Sequence, residues 1–185
     1  MFCKTFISSL LLCSSICISY SQNLSNDTLH WSENKKLAWA DFKGKEVKNA
    51  EKAQQSLMAM IASFNKGNPL KPTATTVTTV FDKKKSWVSA SAQTDQELKY
   101  YQTMFDLYEL HSRKLRKEYK ETKMGIDPNK TFQEKYSLAI AELDEHMREY
   151  NEETRSGADA TALNEWSQDI KKELQALAAF KQSSK

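Results

Sequence analysis

Apolar residues recur along residues 95–123 at the spacing of a helix. Leu98, Tyr101, Phe105, Tyr108, Ser112, Leu115 and Tyr119 follow one another at alternating intervals of 3 and 4, and Tyr100, Met104, Leu107 and His111 form a second row at 4, 3 and 4. At 100° per residue the two rows lie side by side, which predicts one broad buried face on a helix of about seven turns. The segment lacks Gly and Pro, and Asp95 or Thr94 supplies an N-cap. Two more helices are predicted. One starts at a capping box, Thr131-Phe132-Gln133-Glu134, and runs to about residue 154 with Phe132, Tyr136, Ile140, Leu143, Met147 and Tyr150 on one side. The other spans about 160–180, with Leu163, Trp166, Ile170, Leu174 and Leu177 in line. Ahead of the helices, residues 56–64 read as a buried strand, with helix as an alternative. Thr73 to Phe81 is strongly β-forming, and Ser86 to Ala90 follows a turn at Asp82-Lys83-Lys84-Lys85. The last two are expected to pair as a hairpin. Residues 37–42 read as a short extended piece ending at Gly44, residues 45–55 as a loop or short helix, and Trp31 and Trp39 as core anchors. A few strands followed by helices predict an α+β fold: a small antiparallel sheet, then three long helices.

Residues 1–21 carry the pattern of a secretory signal: Lys4, an apolar run from Phe6 to Ile18, and Ser19-Tyr20-Ser21 before Gln22. One domain over 22–180 and a tail at 181–185 follow. Export to the periplasm or the extracellular space is the expectation. A lipoprotein anchor at Cys13 is less favoured, because Leu12 is not the small residue such a site wants. All three cysteines, Cys3, Cys13 and Cys17, lie in that leader, so the remainder has neither disulfide nor thiolate. The net charge is +3, and Lys4 is the only charge in the leader. That is too little for an electrostatic case for nucleic acid, and no later run is long and apolar enough for a membrane span. With 4 glycines the chain offers no Gly-rich phosphate cradle.

The second helical row carries the candidate chemistry. Positions i and i+4 on a helix are where a His-Glu-x-x-His metalloprotease places two zinc ligands, with the Glu as general base. Here those positions read Tyr100-Tyr101-Gln102-Thr103-Met104. The neighbouring blocks resemble a bacterial secreted family known as domain of unknown function 922, described as predicted secreted zinc-dependent proteases. The similar segments are Leu37-Ala38-Trp39-Ala40-Asp41-Phe42-Lys43-Gly44, Ser86-Trp87-Val88, the stretch from Leu98 through Leu110 to Lys117, and Tyr150-Asn151-Glu152-Glu153-Thr154-Arg155-Ser156-Gly157. The resemblance implies a zincin-like layout, with a strand preceding the motif helix. It also implies which positions have changed. Tyr100 and Met104 stand where the two His would be, Tyr101 where the Glu would be, Ser156 where a third ligand would be, and Asn151 where an Asp would be.

Phenol and thioether are poor zinc ligands, and a Tyr cannot serve as a neutral-pH base. The expectation is therefore a secreted, non-catalytic relative of that family: a binding or scaffold protein without metal or other cofactor. Tyr100, Tyr101 and Met104, with His111 on the same row, would floor a vestigial cleft suited to a peptide or envelope protein. The alternatives are an active secreted metal-dependent peptidase or hydrolase with a non-standard site, and a structural envelope protein. A non-standard site would draw on His111, His146 and Glu109 or Glu145, although Glu109 points about 180° from Tyr100. Asp106 and Glu109 beside Arg113 and Arg116 also read as paired carboxylates. The plainer expectation is a solvent-facing i, i+4 ion pair from Glu109 to Arg113, a half-buried His111 and a surface His146.

Overall fold

The computed structural model describes residues 27–47, 54–64, 75–123 and 127–182. The expected signal segment, its cysteines and residues 48–53 of the expected loop or short helix lie outside the described residues. The strands are β1 (Thr28–His30), β2 (Gln54–Gln55), β3 (Met58–Phe64), β4 (Thr75–Asp82) and β5 (Trp87–Val88). The helices are α1 (Asp95–Glu121), α2 (Pro128–Glu153) and α3 (Ala160–Ala176), with short 3-10 turns at Trp39–Asp41, Ala90–Ala92 and Ala178–Phe180. The fold is α+β, as the hydropathy pattern predicts.

β4 is the middle of an antiparallel sheet ordered β1-β4-β3, with Met60 opposite Thr79 and Leu29 opposite Phe81. Its alternate residues Val77, Thr79 and Phe81 are buried, which follows from the period of a strand laid against a helix. The expected hairpin between β4 and β5 does not form: β5 pairs with β2 instead, Gln54 opposite Val88. The cause is the Ser86 hydroxyl, which donates to Asp82 O at 2.6 Å and accepts from Leu57 N at 2.9 Å, turning the chain out of the ladder. Gly44 N then bonds Ser86 O at 2.8 Å, and a Cβ on Gly44 would lie 2.8 Å from that same oxygen. Only glycine lets the backbone pass so close. Nor is residues 37–42 simply extended. Asp41 accepts from Ala38 N at 3.1 Å and from Lys83 Nζ at 2.8 Å, which closes the Trp39–Asp41 turn. Burial alone would raise this carboxyl, but the Lys83 and Ala38 hydrogen bonds outweigh it and hold it below its ordinary value.

The helix starts follow capping chemistry. Thr94 Oγ1 accepts from Glu97 N at 3.1 Å, so Thr94 rather than Asp95 caps α1. α2 begins before the expected box: Asp127 caps Lys130 N at 3.1 Å, and Pro128 occupies the first turn, where its missing N–H costs nothing. Thr131 is therefore inside the helix. α3 is capped by Asp159 and ends at Ala176, four residues short of the expected Phe180, which falls in the closing 3-10 turn.

α1 is the centre of the molecule. From Tyr100 to Arg116 none of its residues is exposed. The sheet covers one side, and α2 and α3 cover the others. This corrects the placing of Glu109 and Arg113 on a solvent face: they are 2% and 0% exposed. Glu109 accepts from Arg113 Nε at 3.0 Å, from Arg116 Nη1 at 3.0 Å and from Thr79 Oγ1 at 2.8 Å. Arg113 Nη1 donates to Leu174 O at 2.6 Å, while Arg116 donates to Val77 O at 2.9 Å and Phe180 O at 3.0 Å. The indole of Trp31 lies 5.1 Å from the Arg113 guanidinium.

Breaking one partner of a buried ion pair leaves an uncompensated charge, at a cost of about 3–5 kcal/mol. Glu109→Gln is thus expected to lower stability by about that amount in urea titration. Glu134→Gln, which removes an exposed partner 3.9 Å from Lys130, should leave the midpoint unchanged. Equal effects from the two variants would contradict the buried cluster.

Candidate functional site

The first turns of α1 carry Tyr100, Tyr101 and Met104; the rings of Tyr100 and Tyr101 meet edge-on at 5.3 Å, and each then packs against different neighbours. Tyr100 is 6% exposed. Its ring stacks on Tyr150 of α2, 5.2 Å between centroids and 11° from parallel, and its hydroxyl donates to the Asn151 side chain. Tyr150 answers by donating to Tyr100 O at 2.9 Å. Tyr101, 2% exposed, turns towards the sheet and packs on Phe42 at 5.2 Å and on Trp39 edge-on at 6.4 Å. Met104 is partly buried, and its sulfur lies 3.7 Å from the Ser56 hydroxyl.

The connection between α2 and α3 closes against Tyr100. Arg155, Ser156 and Gly157 all take positive φ, at 50°, 54° and 90°. A Cβ on Gly157 would sit 2.9 Å from Cγ of Tyr100, so both the conformation and the contact call for glycine. Gln96 of α1 holds the connection by donating to Gly157 O at 2.7 Å, and Thr154 Oγ1 accepts from Gly157 N at 3.2 Å. Ser156 itself is exposed. The structure thus brings Tyr100, Tyr101, Asn151 and Gly157 together and leaves the Ser156 side chain at the surface. His111 belongs elsewhere, about 16 Å further along the helix axis.

Burial, followed by the charge of Glu97, pushes the Tyr100 phenol up to about 12. The same two causes push Tyr101 further in that direction. Both rings are neutral at physiological pH and offer neither a phenolate ligand nor a base. An apolar floor open to a peptide is not what these residues form. Tyr100, Tyr101 and His111 are under 7% exposed, and Met104 alone stays partly reachable.

The expected carboxylate pair divides into two clusters. Glu109 joins the arginines. Asp106 accepts from Trp31 Nε1 at 2.7 Å and Gln102 Nε2 at 2.8 Å, with Lys36 Nζ at 3.6 Å. Burial raises the Asp106 carboxyl despite these three partners. Gln102 also accepts from Leu37 N at 2.8 Å, so Asp106 and Gln102 together clamp the 31–37 segment onto α1. Nothing in the periodicity singles out this clamp, because an Asp and a Gln one turn apart are ordinary on any helix surface.

The alternative donor set does not assemble either. Glu109 is held by Arg113 and Arg116, and Glu145 pairs with Arg148. His111 is buried rather than half-buried, 1% exposed, and its Nε2 lies 2.9 Å from Nδ1 of a partly covered His146. Among the described residues no group of three or more His, Cys, Asp or Glu could hold a metal ion. A groove of about 400 Å³ lies between the C-terminal parts of α1 and α3, lined by Lys114, Lys117, Glu118, Glu121, Glu173 and Leu177, away from Tyr100. No described helix is long and apolar enough to cross a membrane. Set against protein-family models, curated proteins and solved structures, the chain matches none of them.

Two substitutions probe the packed connection. Gly157→Ala adds a methyl where φ is positive and Tyr100 is already in contact, and is expected to cost about 1–3 kcal/mol. Ser156→Gly relieves a positive φ without touching Tyr100, and should be neutral or stabilising by a few tenths of a kcal/mol. Thermal unfolding of the two variants side by side checks both signs.

Proposed function

We propose that this chain is an exported, non-catalytic relative of the zinc-protease-like family it resembles, acting as a binding or scaffold protein. One observation carries the reading. At the position of the first metal-binding His stands a phenol committed wholly to internal contacts: stacked on Tyr150, bonded to Asn151 and pressed onto Gly157. A side chain used in this way has no free donor for an ion. Tyr101 cannot supply the base, and Ser156 faces solvent instead of a shared centre. Aromatic pairs of this kind contribute about 0.5–1.5 kcal/mol beyond their buried area, so the substituted position serves stability.

The leader-like residues 1–21 support export to the periplasm or the extracellular space. The expected partner is a peptide or an envelope protein rather than nucleic acid, given a net charge of only +3. With both tyrosines covered, the surface that meets such a partner lies largely outside the 100–104 stretch, of which Gln102 and Met104 alone stay partly accessible.

Metal analysis of the purified chain tests the reading directly. The expected result is no stoichiometric zinc, no peptide cleavage, and a melting temperature indifferent to chelator. One tightly held zinc per chain, with a melting temperature that falls when the ion is stripped, would overturn it. So would cleavage that a chelator abolishes.

A further inference from the structure

The pairing of His111 with His146 has a direction built into it. Nε2 of His111 and Nδ1 of His146 are 2.9 Å apart, so one of them carries the shared proton. The other nitrogen of His111, Nδ1, is buried and has no hydrogen-bond partner among the described residues. A bare imidazole nitrogen tolerates that position better than an N–H, whose lost hydrogen bond costs more. His111 is therefore the Nε2–H tautomer and donates, and His146 accepts on Nδ1.

A proton arriving on His146 Nδ1 would face the Nε2–H of His111. The pair could then stay bonded only if His111 moved its own proton to Nδ1, where nothing receives it. A bridging divalent cation would demand the same shift, since a ligating imidazole needs an acceptor for its second nitrogen. The arrangement accordingly suits neutral imidazoles and excludes both a proton and a metal ion.

We propose that the His111–His146 pair is a pH-sensitive clasp that holds α2 against α1 at neutral pH and releases it as the surroundings acidify. Its surroundings reinforce the neutral state. Burial first, then Lys114 of the same helix, and then His146, lower His111 to about 3. Lys114 is itself paired with Glu173 of α3 at 3.0 Å. On α2, Glu145 pairs with Arg148, and Asp144 acts on Tyr108 of α1. Trp166 of α3 meets the His146 ring edge-on at 6.5 Å, while its own N–H goes to Glu153 of α2 at 2.7 Å. No carboxylate among the contacts of the described residues is hydrogen-bonded to either imidazole, so nothing there stabilises the charged form.

The sign follows from linkage. A histidine whose folded value is depressed contributes stability that is complete above its unfolded value of 6.5 and declines as pH falls towards the folded value. Once exposed, the His111 imidazole favours the open form by up to about tenfold per pH unit. Hydrogen exchange of the full chain between pH 7 and pH 5.5, corrected for intrinsic rates, measures this. The opening constant of α2 amides around Leu143 to Tyr150 is expected to rise roughly tenfold, ahead of those in α3. The double variant His111→Leu, His146→Leu, an apolar pair without protons to bind, should lose that slope.

Nitrogen-15 spectra of the wild-type imidazoles give a second test that needs no variant. His111 should show a protonated Nε2 and a bare Nδ1 at pH 7. A proton on His111 Nδ1 at pH 7, α2 amides indifferent to pH, or an unchanged slope in the double variant would each overturn the clasp.

Discussion

The structure depends on one carboxylate. Glu109 sits halfway along a helix that is covered on every side, and it binds two guanidinium groups, one of them fully enclosed. Charges in such a place are tolerated only when they are paired and well hydrogen-bonded. Further donors of the arginines go to backbone oxygens of three other elements, Val77 in the sheet, Leu174 in α3 and Phe180 in the turn beyond it, while Arg113 Nη2 has only Glu33 of the 31–37 segment, at 3.9 Å. Thr79 adds a hydroxyl from β4, 2.6 Å from Ser112 of α1. These directional bonds fix where α3 ends and which strand residues face the helix. The stabilising energy comes from apolar burial, and the ion cluster selects one register from the several that burial would accept.

Along its length α1 meets α2 in contacts of different kinds, the last of them Tyr119 edge-on to Phe132 at 4.7 Å. Near its start the contact is aromatic, Tyr100 flat against Tyr150. Further on it is polar, His111 to His146. A row of rings joins the two, because Trp166 of α3 packs on Tyr150 at 5.4 Å and on His146 at 6.5 Å. The helices therefore share one seam, aromatic at Tyr100 and titratable at His111. The α2–α3 connection can press into that seam only because Gly157 has no side chain and three successive residues adopt positive φ.

Much of this was legible in the chain. The 3-and-4 spacing locates α1, α2 and α3, and β-branched residues locate β4, because these signals are local. What the sequence left hidden depends on partners far along it. An i, i+4 Glu–Arg pair looks alike on a surface and in a core. What buried this one was Thr79, Trp31 and the end of α3, which lie 30, 78 and 65 residues from Glu109. β5 parted from β4 because of one serine hydroxyl and the backbone of Gly44. The start of α2 shifted because Asp127-Pro128 makes a better first turn than Thr131 does. At the motif helix, periodicity placed Tyr100 and Tyr101 in the interior correctly. The open cleft expected above them was absent because the neighbouring side chains had filled it.

That filling can be argued from shape. An imidazole at position 100 is smaller than a phenol and could not span the distance to the Asn151 side chain while lying flat on Tyr150. Tyr100 reaches Asn151 through its hydroxyl, and Tyr150 reaches back to the Tyr100 carbonyl, so the stack is tied at both ends. Residue 100 lies 50 positions from residue 150 in sequence, yet it fits with residues 150, 151 and 157 as one unit. Position 151 holds a neutral amide suited to a phenol. Complementarity across four positions points to a packed core in its own right, and the helical spacing of Tyr100 and Met104 follows from the face that α1 has to bury.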